Sequence, residues 1–205
     1  NSSKIKTTID NWYTSNLEAK GYTKYLSTTA VYCNDRSRLD NTYFGAFTRL
    51  GLNKTPTYTC TNTDDKFTVD SSAGNGKLKY PIALMTADEI GYAGGILRDI
   101  NANAWYFRNA KEGTLTTSSS STDASYSSTG STWWWLLSPF DWGGSNAYVF
   151  CVVGSARPGN LGDCRVDPSI GVVRPSVSLK SCVKTSGGDG SANAPYTIEE
   201  STSGC

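Results

Sequence analysis

Residues 133–179, WWWLLSPFDWGGSNAYVFCVVGSARPGNLGDCRVDPSIGVVRPSVSL, decide how the rest of this chain is read. Three of the six tryptophans stand side by side at Trp133–Trp135, and Trp142 follows closely. Trp133–Leu137 predicts a buried strand with indoles on both of its sides. Ala147–Val153 predicts a second strand. Ala147, Val149, Cys151 and Val153 fall on one of its faces, and Tyr148, Phe150 and Val152 on the other. A turn-rich piece with Gly154, Pro158, Gly159 and Gly162 leads to Cys164-Arg-Val166, and Val172–Leu179 predicts the last strand of the group. Between these apolar pieces lie loops that mix aromatic, polar and charged residues. The combination predicts a strand-rich core that presents a binding surface.

Composition narrows the partners. The chain of 205 residues is long enough to bury a proper core and is read as a single domain. With 19 basic and 18 acidic residues it carries a net charge of +1 and no basic block, so neither nucleic acid nor an anionic membrane is an expected partner. Charged residues make up 18% of the chain, below the roughly 25% of ordinary soluble domains. Ser, Thr, Asn, Gly and Tyr are abundant instead, which suits an extracellular β-rich protein. There is no histidine, which removes the commonest general base, triad member and metal ligand together. No cofactor and no metal are expected. The absence of a signal-peptide or membrane-spanning run makes Asn1 read as a mature or truncated start.

Six cysteines, Cys33, Cys60, Cys151, Cys164, Cys182 and Cys205, contain no C-x-x-C pair. Zinc sites favour close ligand pairs, so a disulfide set formed in an oxidising compartment is the better reading. Sequence leaves many connectivities open. Nearest-neighbour pairing, Cys33–Cys60, Cys151–Cys164 and Cys182–Cys205, is the expectation.

The flanking chain supplies supports. Ile5, Ile9, Trp12 and Leu17 recur at helical spacing after Ser3, a plausible N-cap, and predict a helix whose apolar stripe packs on a sheet. Cys33-Asn-Asp-Arg-Ser37 is a polar turn in which Arg36 is expected to brace the loop on a carboxylate. Asp64-Asp-Lys-Phe67 resembles a turn into a short strand. Ser71–Gly76 is a turn by composition, and Lys77–Leu84 leans toward an edge strand interrupted by Pro81. Thr86-Ala-Asp-Glu89 is a capping box opening a short helix that ends at Gly94-Gly95. Asp88 and Glu89 are adjacent, do not face each other on a helix, and take capping or dipole roles rather than catalytic ones. Asn103–Phe107 predicts an extended aromatic piece, and Thr114–Thr132 a Ser/Thr-rich exposed loop. Ser186–Gly190 predicts a turn, and Tyr196–Ile198 a short strand before Cys205.

The order of these signals is similar to a known architecture. The Ile5–Leu17 helix, the Cys33–Ser37 turn, Cys60 with Asp65-Lys-Phe-Thr68, and Asn75-Gly-Lys-Leu78 with Tyr80-Pro-Ile82 come first. Thr86–Glu89 with Ala93-Gly-Gly95, Leu137-Ser-Pro139, and Gly171 with Val173-Arg-Pro175 follow. Together they resemble a bacterial surface or pilin-associated domain in the formylglycine-generating-enzyme-like branch of the C-type lectin fold. That branch includes the variable proteins of diversity-generating retroelements. The resemblance implies an α+β, C-type lectin-like fold with small antiparallel sheets, two helices and long loops. It also implies a variable display segment over 138–174, followed by a C-terminal extension over 180–205. The displayed, ligand-binding side chains would be Phe140, Asp141, Trp142, Asn146, Tyr148, Arg157, Asn160, Asp163, Arg165, Asp167 and Ser169.

Two departures shape the functional expectation. The Glu-Pro-Asn, Gln-Pro-Asp and Trp-Asn-Asp motifs of calcium-dependent lectins do not occur, so calcium-mediated sugar binding is not expected. Cys151 and Cys164 lie in adjacent predicted strands, where a cross-strand disulfide is simpler than a reactive oxidase pair. The expected function is therefore non-enzymatic. It is an adhesin- or receptor-type module on a cell surface, pilus, envelope or phage particle, binding a protein or glycan on another cell or surface. A structural pilin-tip subunit contacting pilus neighbours, and an oxidase sharing the fold, are the alternatives.

Overall fold

Trp134–Gly143 (β4), Asn146–Val153 (β5) and Asn160–Arg165 (β6) form an antiparallel meander, and the rest of the chain packs around it. The computed structural model describes residues 3–99, 102, 104, 133–153, 159–167, 171, 173–189 and 194–200. Ahead of the meander come helix Lys4–Tyr13 (α1), Tyr32–Cys33 (β1), Gly45–Phe47 (α2), Lys66–Phe67 (β2), Ala83–Leu84 (β3) and helix Ala87–Tyr92 (α3). After it come Pro175–Ser176 (β7), Thr185–Gly187 (β8) and Thr197–Ile198 (β9). The short strands pair antiparallel as β1–β2, β3–β7 and β8–β9. The expected mixture of small antiparallel sheets and a few helices is what these residues build.

Local chemistry fixes the helices. The Ser3 side chain accepts a hydrogen bond from the Lys6 backbone N–H and caps α1. At α3, the Thr86 hydroxyl accepts from the Glu89 N–H while the Glu89 carboxylate accepts from the Thr86 N–H, so the capping box is complete. The buried positions of α1 are Ile9 and Tyr13, whereas Trp12 is 45% exposed, a correction to the expected stripe. Beyond α1, Thr14–Glu18 continues as a wider π-helical turn, and Leu17 on it packs, partly buried, against the cluster of Ile9 and Tyr13, as the stripe predicted.

Two expected strands shrink to two residues each. Lys77–Leu84 contributes only Ala83–Leu84, because Pro81 lacks the N–H that a ladder needs. In the Val172–Leu179 run, the strand is Pro175–Ser176, paired with Ala83–Leu84, and Leu179 adds a single antiparallel bridge to Leu26. Thr185–Gly187 pairs with Thr197–Ile198, so part of the expected 186–190 turn is strand. The aromatic stretch 103–107, Ala104 excepted, and the 114–132 loop lie outside the described residues.

Beneath the meander sits the largest core cluster. Trp134, Leu136, Phe140, Phe150, Val152 and Leu161 from the sheet meet Ala46 from α2 and Ala87 and Ile90 from α3. Trp134 faces this core in register with Val152 and Leu161, and Trp135 pairs with Cys151 on the opposite face. Indoles therefore occupy both sides of the strand, as expected. Gly171 lies so close to Trp133 and Trp135 that a Cβ there would approach their rings to 2.6 and 2.8 Å. A side chain at that position would force the indoles to move.

The cysteines tie the layers together. Cys33–Cys60 anchors β1 to the incoming loop, and Cys151–Cys164 links β5 to β6, each with 5.8 Å between Cα atoms. Both are nearest-neighbour pairs, as expected. Cys182 is also disulfide-bonded, while Cys205, its expected partner, lies outside the described residues.

Candidate functional site

The geometry of the site starts from an irregularity in β4. Pro139 pairs with Val149 and Asp141 with Tyr148, so two steps on β4 match one on β5 and Phe140 is the extra residue. Pro139, without an N–H, sits at this bulge, where prolines in strands are tolerated. Backbone groups along the bulged stretch find other partners. Leu137 N–H donates to Met85 O, Phe44 N–H to Phe140 O, and Trp142 N–H to Thr42 O.

The bulge rearranges the expected display face. Phe140 turns into the core, is 1% exposed, and meets the Phe47 and Phe150 rings edge-on at centroid distances of 5.4 and 5.0 Å. It is a packing residue, and the simple alternation that placed it beside Trp142 does not hold. Asn160 is likewise corrected: it is 3% exposed and its amide donates to Asp99 O at 2.7 Å. A buried amide needs such a partner, which makes Asn160 a structural brace. Arg157 and Ser169 lie outside the described residues.

The remaining expected residues gather at the far end of the meander but on two faces. Asp141, Tyr148 and Arg165 are direct cross-strand partners and share the core-side face, with Asp163 beside them in register with Phe150. Trp142 pairs with Ala147 on the other face, where Val166 N–H donates to Ala147 O. Trp142 is 52% and Val166 47% exposed. Asn146 closes the hairpin opposite Gly143, and Gly144 in the turn has φ 76°, which favours glycine. Arg165 and Asp167 form an exposed ion pair at 2.5 Å. That pairing holds the Asp167 carboxyl below its usual range and raises the Arg165 guanidinium.

Two residues missed in the sequence complete the core-side face. Arg98 donates two hydrogen bonds to Asp163, at 3.0 and 2.7 Å, and its guanidinium lies 5.5 Å from the Phe140 ring centroid. Its backbone is left-handed, φ 58°, which is rare for a non-glycine residue. Tyr43 bridges to Asp141 through its backbone and stacks on Phe47. No local sequence signal marks either residue, since each reaches the site from a separate loop. Burial, and then the nearby Asp163 charge, raise the Asp141 carboxyl, with Arg98 opposing. One of its oxygens, Oδ1, is shut off from solvent without a hydrogen-bond partner among the described residues.

A second cluster of charge is structural. Arg49 makes a two-point contact with Asp88, at 3.0 and 2.9 Å, and reaches Asp35 at 2.6 Å, while Thr57 N–H also donates to Asp88. Burial lowers the Arg49 pKa, but the two carboxylates outweigh it and the net shift is upward. Burial pushes the Asp35 carboxyl up, but hydrogen bonds from Ser37 and Arg49 prevail and hold it below its usual value. Asp88 is therefore more than a capping residue: it is buried and pins α3 to the Arg49 turn and the 57 loop. Arg36 braces its loop on Asp65 at 2.5 Å, as expected.

Among the described residues no cysteine is free, and no group of three or more His, Cys, Asp or Glu side chains is placed to hold a metal. No described helix is long and apolar enough to cross a membrane. No curated protein and no solved structure matches the chain. A family model does match, over residues 8–181, which takes in the core cluster beneath the meander and the far end of the meander and stops just before Cys182. The chain belongs to this family, described as a domain of unknown function, DUF6273.

Proposed function

We propose that this protein is an extracellular, non-catalytic ligand-binding domain of C-type lectin-like fold. Its ligand is a protein or glycan on another cell or surface, and no cofactor takes part. Contact is made at the far end of the β4–β5–β6 meander. By the resemblance to the variable proteins of diversity-generating retroelements, the changeable side chains would be those at that end.

The observation that carries this reading is one end of a short, disulfide-linked piece of sheet that holds Trp142 on one face and Tyr148 and Arg165 on the other. Indole and phenol rings give large contact areas at small entropic cost, and Arg with Asp and Asn adds directional polar contacts. A sheet with cross-strand pairing and a disulfide keeps those groups in place before the ligand arrives, which reduces the ordering cost of binding. On a glycan, Trp142 stacks on a sugar face; on a protein, it enters a pocket as an anchor.

The test is a glycan and protein array probed with the wild-type chain and with the Trp142→Ala/Tyr148→Ala/Arg165→Ala variant. Saturable wild-type hits that the variant loses support the reading. Hits retained by the folded variant place recognition elsewhere.

A further inference from the structure

Away from the far end of the meander, α1 and the short strands leave a cleft between them. Its volume is about 630 Å³. Small-molecule sites in proteins generally fall between about 300 and 1,000 Å³. Ile5 and Ile9 wall it on the helix side, and Phe67, Leu78, Leu84 and Leu137 on the strand side. None of the described residues assigned to the display surface lines it.

The wall and the rim differ in chemistry. Aliphatic and aromatic groups facing an empty space forgo dispersion contacts, and they gain them from an apolar body placed there. Among the described residues two lysines, Lys6 and Lys77, line the cleft and no carboxylate does. Lys6 is engaged with Asp10 and with Ile82 O. Lys77 is exposed, and no ion pair to a carboxylate holds it among the described residues. The positive end of the cleft is therefore at Lys77, next to Leu78 of the apolar wall.

We propose that this cleft binds one free, single-chain amphiphile with an anionic head. The apolar body lies between α1 and the Leu78/Leu84/Leu137 wall, and the head meets the Lys77 ammonium. The cleft is walled on two sides, which suits a single chain better than the surface of a bilayer. This site stands independently of the display surface, so either can fail alone.

Calorimetry with the full chain and dodecanoate, kept below its micelle-forming concentration, tests the proposal. The expected result is one dodecanoate per chain, with dodecyltrimethylammonium bound at least about tenfold more weakly, a difference of about 1.4 kcal/mol. Ile5→Trp fills the helix side of the cleft and is expected to lower dodecanoate affinity at least about tenfold. Leu137→Trp is the second filling variant, read if circular dichroism shows Ile5→Trp unfolded. Lys77→Glu, at an exposed position, is expected to weaken dodecanoate and to strengthen the ammonium probe. No binding, equal binding of the two head charges, or full affinity in a folded filling variant overturns the proposal. So does binding seen only with anionic vesicles and never with the monomeric probe.

Discussion

The two ends of the β4–β5–β6 meander share one ladder yet have opposite fates. At the near end Trp134, Val152 and Leu161 are cross-strand partners and wholly buried. At the far end Trp142, Ala147 and Val166 are neighbours across the same three-stranded arrangement, and Trp142 and Val166 stand about half exposed. Strand propensity is similar at both ends. What differs is the face and what covers it: α2 and α3 supply Ala46, Ala87 and Ile90 to the face that carries Trp134, Val152 and Leu161, whereas Trp142, Ala147 and Val166 lie on the opposite face, away from the layer that α2 and α3 build. An aromatic residue in a strand is core or contact surface according to what covers it.

The largest effect separates the two ends directly. Phe140→Ala leaves a cavity among Phe47, Phe150 and Tyr43 and is expected to cost about 3–5 kcal/mol in urea unfolding. Trp142→Ala removes a half-exposed ring and is expected to change stability by less than about 1 kcal/mol while abolishing ligand binding. Equal costs for the two substitutions break the distinction between core and display residues.

Next in size is the bond between the ends. Removing Cys151–Cys164 with paired serines, in a loop of 13 residues, is expected to cost about 3 kcal/mol. Ligand dissociation is expected to quicken as well, because the far end loses its fixed geometry. A variant that keeps wild-type stability and dissociation rate shows that the hydrogen-bonded ladder alone holds the display surface.

The carboxylates sharpen the comparison through sign. Asp35, in the Arg49 cluster, has its folded pKa below the unfolded value of roughly 4. Its contribution is present above that unfolded value and is lost as pH falls through the folded one. Asp141 is raised, so ionising it costs stability above its folded pKa, and that cost disappears as pH falls. At neutral pH, Asp35→Asn is expected to lower the thermal midpoint and Asp141→Asn to raise it, and the two differences should shrink together toward strong acid. Shifts of the same sign contradict the assignment. The smallest stability effect belongs to Arg165→Ala, whose exposed pairing with Asp167 is screened by water. Its thermal midpoint is expected to match wild type while its affinity for an array hit falls.

Much of the frame was legible because its causes are local. The Thr86–Glu89 box is four residues long, the Ser3 cap acts on Lys6, and the alternation of Ala147–Val153 depends only on the pleat. The pairings Cys33–Cys60 and Cys151–Cys164 followed from proximity along the chain. Phe140 was misplaced because a bulge resets alternation, and Pro139 alone did not say how Phe140 would turn. Asn160 was misread because its polar side chain is buried by a partner, Asp99, 61 residues away in the chain. The Arg49–Asp88 pin and the Arg98–Asp163 pair also join distant segments, and no periodicity or spacing carries such contacts. The two faces of the far end became separable only once the register was known.

Hydrogen–deuterium exchange, compared with and without a bound array hit, tests the central claim most directly. If the far end of the meander is the contact surface, amides within 141–148 and 163–167 slow on binding, while those of 134–137 and 150–153 keep their rates. Slowing confined to the near end, or to the cleft beside α1, contradicts the account.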